Sequence, residues 1–342
     1  MIAVFDGHND ALTRDDHAQL AAGREGGHLD LPRMHAGGMR GGIFAVFTSS
    51  PGFEWTERQR DDGAREVLPA EPVAHPVAAA YAARAAGRLA ALQGAGQVRI
   101  ARSVADLDAV HADGELPPAA VLHLEGAEAI DPDLEALDHW YGAGLRSLGP
   151  VWSRANAFGH GVPFVFPGDP DTGPGLTEAG RALVRRCAEL GILVDLSHLN
   201  ARGFWDVARA EPGPLVASHS GVHALAPTTR NLTDAQIDAI GASDGLIGVI
   251  FGCAFVRTDL TDDADTPLAT IAQHAYYVAE RIGVRHVALG SDFDGTLIPA
   301  ELGDVAGLPK LLDALRVAGF SDSDLEDIAW GNWRRVLGAW WH

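Results

Sequence analysis

IAVFDGH, residues 2–8, runs straight into Asn9 and Asp10 and sets a pattern that the rest of the chain repeats. An apolar run too short for a helix ends in imidazole or carboxylate. On an extended strand alternate side chains share a face, so Asp6, His8 and Asp10 project together. Clustering them that way is costly unless something cationic receives them. Seven further runs follow: GIFAVFT (42–48), AAVLHLEG (119–126), LRSLGPVW (145–152), ILVDLSH (192–198), LVASHSG (215–221), LIGVIFG (246–252) and HVALGSDFDG (286–295). Most are rich in Val, Ile, Leu or Phe, as strands buried on both faces are.

Between the runs, residues 74–93, 178–190, 234–241, 267–282 and 308–318 space their apolar side chains as amphipathic helices do. TEAG (177–180) and TDAQ (233–236) supply N-cap starts, and SDSDLEDIAWGNWRRVLGAWW reads as a closing helix packed through its Trp and Leu side chains. Strand and helix alternating about eight times predicts a parallel sheet closed into a (β/α)8 TIM barrel of one domain, residues 1–342. Residues 51–72 and 154–176 are Gly/Pro-marked and non-periodic, and are expected to be long loops at the C-terminal face of the strands, where such a barrel carries its active site.

Composition narrows the partners. With 47% apolar and 21% charged residues the chain reads as a soluble globular protein. A formal net charge of −20 argues against nucleic acid or anionic membrane as a partner, so any acidic ligand must be met by an individually placed Arg. Two cysteines, Cys187 and Cys253, make neither a disulfide framework nor a zinc ribbon. No apolar run approaches the length of a membrane span and no signal-like segment precedes Asp6, so a cytoplasmic location is expected. A homodimer is compatible with the sequence, which does not specify one.

The polar residues gather where strands end: His8 and Asp10, Glu125, His198, His219 and Asp292. Singly, each has a plainer role. Asp10 would cap the turn DALT, His198 would bond a carbonyl, and Glu125 would pair with Arg146. Together, at the mouth of a predicted barrel, they suit two divalent metals, zinc foremost, because neutral imidazole and carboxylate both bind it. Glu125 has two oxygens and could bridge the pair, which would activate water and polarise a carbonyl. Asp292 is expected to carry the proton from water to leaving group. His17, His28, His35, His75, His111, His139, His274 and His286 fall outside strand ends and are assigned to surface or packing. His123, His160 and His223 lie near the mouth and stay unassigned.

DGHND, LHLEGAEAI, VDLSHLN, ASHSGVHAL with TTRNLTD, GSDFDG with GDVAGLP, and GNWRRVL stand in unbroken order from residue 4 to about 340. This series resembles the renal (membrane) dipeptidase family, metallopeptidase family M19. The resemblance implies an amidohydrolase-type barrel that cleaves dipeptides with two zinc ions, one held by His8 and Asp10, the other by His198 and His219, with Glu125 bridging. It implies that Asp292 handles the proton and that Arg230 grips the dipeptide's C-terminal carboxylate, a role a buried guanidinium fork suits. Asp6, one step deeper than His8, is expected to orient it. Where animal members have a substrate-touching His after the fourth strand, this chain has Trp152, which either lines the pocket or packs the wall. An amidohydrolase acting on an N-acyl amino acid or lactam, and a non-catalytic metal-binding barrel, are the competing readings.

Overall fold

The apolar runs form parallel strands in the computed structural model, which describes residues 2–67 and 69–341. β1 (Val4–Asn9), β2 (Met39–Phe47), β3 (Ala119–Glu125), β4 (Leu145–Gly149) and β5 (Leu193–Val194) lie side by side in one sheet. β6 (Val216–Ser220), β7 (Leu246–Val249) and β8 (Val287–Leu289) form a second. Every strand pair in both is parallel. The sheets meet at both edges through single parallel bridges, Asp195 to Val216 and Asn9 to Phe293. Consecutive strands are joined through helices, as parallel pairing requires.

The helices anticipated from periodicity are present as His75–Gly94, Glu178–Leu190, Asp234–Ala242, Leu268–Ile282 and Leu308–Val317. Thr177 caps the second by accepting from Gly180 N, and Thr233 forms a capping box with Gln236. Shorter helices lie outside those stretches at Leu31–Gly37, Val104–Ala112, Glu135–Ala143, Ala201–Ala210 and Cys253–Val256; Ala201–Ala210 is clearly amphipathic, burying Phe204 and Val207 on one face. The closing segment is helical in three pieces, with a π-turn (Asp327–Gly331) between Asp322–Glu326 and Asn332–Trp340. Its Trp333 indole is buried and donates to Leu289 O at 2.9 Å, and Phe5 packs on both Trp330 and Trp333.

One expectation is corrected. The segments 51–72 and 154–176 are not independent loops: Glu57–Gln59, Arg65–Val67 and Val165–Phe166 pair as an antiparallel three-stranded sheet. Each piece is two or three residues long, so no periodicity within either segment could announce it. Leu68, inside the first segment, lies outside the described residues, as do Met1 and His342. Buried apolar side chains from Val4 to Trp341 make one connected core. Cys187 is part of it, and burial pushes its thiol up to about 12, consistent with a packed, unreactive side chain.

Candidate metal centre and active site

The strand ends converge as the sequence implied. His8 lies on β1 with Asp10 just beyond it, Glu125 closes β3, His219 lies on β6, and His198 and Asp292 follow β5 and β8. Glu125 Oε1 is 3.0 Å from His198 Nε2 and 3.6 Å from both His219 Nε2 and His8 Nε2. His8 Nε2 is also 3.6 Å from Asp10 Oδ2. Four overlapping groups with metal-ligand spacing emerge among the described residues: His8–Asp10–Glu125 and Glu125–His198–His219, which share Glu125, together with His8–His219–Asp292 and His8–His123–Asp195. Their plainer roles are taken by other groups. The turn after β1 is held by the backbone carbonyl of Asp10, which accepts from Thr13 N and Oγ1, so its carboxylate is free. Arg146 spends its guanidinium on carbonyls of Arg102, Tyr141 and Leu145, not on Glu125.

Two observations show that these residues fit a cationic occupant. Both ring nitrogens of His8 and Asp10 Oδ1 are buried without a hydrogen-bond partner, which protein interiors rarely tolerate. The electrostatics also call for positive charge. Burial disfavours a charged His8, yet Glu125, Asp10 and Asp292 raise it to about 10. Burial, with Asp10 and Asp292 adding to it, pushes Glu125 well above the carboxylate range. Without an ion the site gathers protons; a divalent cation would satisfy the same demand. His198 and His219 are pulled well below the imidazole range, by burial first and then by neighbouring cationic groups, and so stay neutral as metal ligands must.

The backbone places two of these side chains in an unusual way. His198 and Asp292 have φ of 67° and 58°, the left-handed region that side chains with a Cβ seldom adopt. Behind His198 and His219 stand hydroxyls that the sequence alone did not single out. Ser153 Oγ is 2.8 Å from His198 Nδ1, and Ser218 Oγ is 2.7 Å from His219 Nδ1 while donating to Asp195. Ser218 precedes His219 and Asp195 stands three residues before His198, which is the one signal that could have flagged them. Asp6 does not orient the His8 ring. Its carboxylate instead accepts from Ser291 N at 2.7 Å and Ser291 Oγ at 2.9 Å, bracing the residue before Asp292. His160 and His223 bond loop carbonyls of Gly175 and Gly168. His123, by contrast, is fully buried on the same strand face as Glu125.

A cavity of about 240 Å³ opens over the cluster, bordered by Asp10, Glu125, His198, Arg230 and Asp292. Arg230 is buried, and its Nη1 and Nη2 donate to Ser220 Oγ (2.9 Å) and His219 O (2.8 Å) rather than to a carboxylate. Burial presses its pKa down while Asp292, Asp195 and Glu125 oppose the drop. Asp292, whose pKa burial raises to about 6, shares this cavity. Trp152 plays both parts considered for it: it lines the cavity and packs on Phe47 with ring centroids 4.7 Å apart. Phe164 at 5.6 Å from Trp152, and Trp55 at 5.1 Å from Phe164, extend this aromatic wall outward. Both come from the segments expected to be loops. A larger groove of about 800 Å³ lies against Ile2, His111, Arg316 and Trp330 and contains none of the site residues.

Known proteins resemble this chain in sequence and fold. An uncharacterised protein of Klebsiella pneumoniae encoded in the pqqA 5′ region is 50% identical over 247 residues, 72% of this chain and 90% of that protein. A solved metallopeptidase, dipeptidase AC of family M19, superposes with a TM-score of 0.93 at 44% identity, covering 100% of this chain and 99% of its own. A metallopeptidase from Rhodobacter sphaeroides, solved with a phosphinate mimic of the dipeptide L-Ala-D-Ala, gives 0.92 at 42% identity, covering 99% of each chain. The sequence model of the membrane dipeptidases, peptidase family M19, matches residues 1–340, and the chain belongs to that family of metallo-dipeptidases.

Proposed function

We propose that this enzyme hydrolyses the peptide bond of dipeptides at a centre built for two zinc ions, in a single domain whose eight strands close into a (β/α)8 barrel. The observation that carries the reading is the double membership of Glu125 in the His8–Asp10 and His198–His219 groups, under a cavity that also holds a buried Arg230. The bridges Asp195–Val216 and Asn9–Phe293 support closure at both seams. The continuous core supports one domain.

When bound, a divalent pair supplies a water acidified toward neutral pH and a Lewis acid for the scissile carbonyl. The chain supplies the rest. Arg230 binds the C-terminal carboxylate with a charge-assisted fork, which lets a protein of net charge −20 hold an anionic end. Asp292, half-buried at the cavity, accepts the proton from the attacking water and returns it to the leaving amine. Trp152 and Phe164 exclude solvent beside His198, from which their rings stand 5.8 and 6.2 Å away. A cavity of about 240 Å³ is in keeping with a dipeptide, and the Rhodobacter sphaeroides relative holds a mimic of one.

The test is hydrolysis of a dipeptide panel that includes L-Ala-D-Ala. Chelation should abolish turnover, zinc should restore it with two equivalents bound, and acetylating the amine or amidating the carboxylate should suppress it. Asp292→Asn should keep both ions and lose roughly 10²–10⁴ in kcat, the range for a positioned acid–base group. Near-normal turnover by that variant would remove Asp292 from the role, and faster cleavage of N-acyl amino acids than of dipeptides would overturn the substrate assignment.

A further inference from the structure

The three histidines of the centre are not supported alike. His198 and His219 each have a serine hydroxyl on Nδ1, at 2.8 and 2.7 Å. His8 has nothing on either nitrogen, although it is fully buried. A metal-ligating imidazole almost always donates its second N–H to an oxygen acceptor, which fixes tautomer and ring orientation. Of the groups that contain His8, one lies wholly on buried residues outside the proposed ligand set apart from His8 itself: His8–His123–Asp195, with one nitrogen or oxygen from each lying within 4.8 Å of the others. His123 Nε2 is also without a partner.

We infer that one water molecule is a built-in part of the metal centre, held between His8, His123 and Asp195, and that His123 is thereby a positioning residue for His8. The inference rests on the proposed metal centre. His8 Nε2 faces Asp10 and Glu125 at 3.6 Å each, which leaves Nδ1–H to donate to the water. The acceptors are ready. His123 Nδ1 lies 2.8 Å from Ser147 Oγ, directly across the β3–β4 pair, and when it donates there Nε2 carries a lone pair. Asp195 Oδ1 already accepts from Ser197 N and Ser218 N, and Oδ2 takes the Ser218 hydroxyl with one lone pair to spare. The water therefore accepts once, from His8, and donates twice, to His123 and Asp195. The orphan nitrogens His8 Nδ1 and His123 Nε2 are then paired, and His8 Nε2 is left to face the proposed metal site.

Distance decides between water and a third metal ion. His123 Nε2 and Asp195 Oδ2 are 3.9 Å apart. Two zinc bonds of about 2.0–2.1 Å would have to open to an angle of about 145° to span that gap, far from tetrahedral. Two hydrogen bonds of about 2.8 Å span it at an angle of about 90°, within the range water uses.

The experiment strips the protein with chelator and titrates zinc back against a chromophoric competitor. Wild-type protein must take up two equivalents, so a failure of the metal centre itself is read separately from a failure of this inference. His123→Leu should weaken one of the two sites roughly ten- to a hundredfold and leave the other unchanged. His123→Gln, which keeps an acceptor, should stay within a few fold. A high-resolution crystal structure of the zinc-loaded wild type should show a water peak at hydrogen-bond distance from all three side chains, without anomalous signal. Unchanged zinc affinities in His123→Leu, an empty site, or an anomalous peak with a third equivalent of metal would each overturn the inference. Should His123→Leu not fold, the density and the His123→Gln titration decide.

Discussion

His198 and Asp292 carry their side chains on left-handed backbone, with φ of 67° and 58°, and so does Asp294 at the cavity edge, with φ of 70°. Such conformations cost about 1–3 kcal/mol each and persist where the surroundings over-determine them. Here the gain is directional, because the chain leaves the strand and turns its side chain back over the mouth. Arg230 is costly in another way, as a buried guanidinium with no carboxylate partner among the described residues. A charge-assisted hydrogen bond contributes about 1.5–3 kcal/mol, so Arg230→Ala is expected to lower kcat/KM by roughly one to two orders of magnitude. The loss should shrink on dipeptides amidated at the C-terminus, and an equal loss on both kinds would make Arg230 structural. Trp152 invites a comparison of selectivity with stability. Trp152→Ala should favour bulky over small dipeptides by roughly tenfold. It should also cost about 3 kcal/mol at most, since the half-buried ring packs on Phe47. A uniform fall across all dipeptides would leave Trp152 with packing alone.

Among the elements, helix Leu268–Ile282 ties itself to the segment after β6 through one imidazole. His274 Nδ1 accepts Val222 N–H at 3.0 Å, just after β6, and Nε2 donates to Val256 O at 2.9 Å. The first bond requires the neutral ring, since a protonated Nδ1 cannot accept; the second survives in either state. Burial pulls its pKa from 6.5 down to about 4, against the opposing pull of the Val256 carbonyl. Between those values the unfolded chain binds a proton that the folded chain refuses. Stability from His274 is therefore full above pH 6.5 and drains as pH falls toward 4. Urea unfolding at pH 7 and pH 4.5 should show the wild type losing about 2–3 kcal/mol more than His274→Gln over that interval. Equal losses would assign the acid sensitivity to other groups. The small antiparallel sheet works at the same scale. By pairing Arg65 with Phe166 it ties the segment bearing Trp55 to the segment bearing Phe164, and so assembles the outer aromatic wall.

Across the whole molecule the centre depends on how closely strands from both sheets approach beneath it. A Cβ on Gly248 or on Gly290 would collide with the carbonyl oxygen of Ser218, the residue before His219. β6, β7 and the turn after β8 are thus pressed together backbone to backbone directly under His219. Gly248→Ala is expected to cost about 3 kcal/mol, at the upper end for overpacking. Because the displaced strand carries His219, zinc affinity should fall with it. A urea midpoint and a zinc titration both unchanged from wild type would show that the strands have room to spare.

What the sequence determined by itself was the local grammar and its order. Apolar runs too short for helices, caps such as Thr177 and Thr233, and a ligand-type residue at each critical strand end are written in stretches of fewer than twenty residues. Their energetics are settled by neighbours in the chain. His123 was half legible, since it shares a face with Glu125, but nothing local revealed that Ser147 would stand opposite it. Tertiary structure decided the rest: that Asp6 serves Ser291 and not His8, that Ser153 and Ser218 back the imidazoles of His198 and His219, and that segments about a hundred residues apart pair into one sheet. Those partnerships depend on which strand ends become neighbours when the sheets come together. No periodicity encodes that adjacency; it follows from burying every apolar face at once.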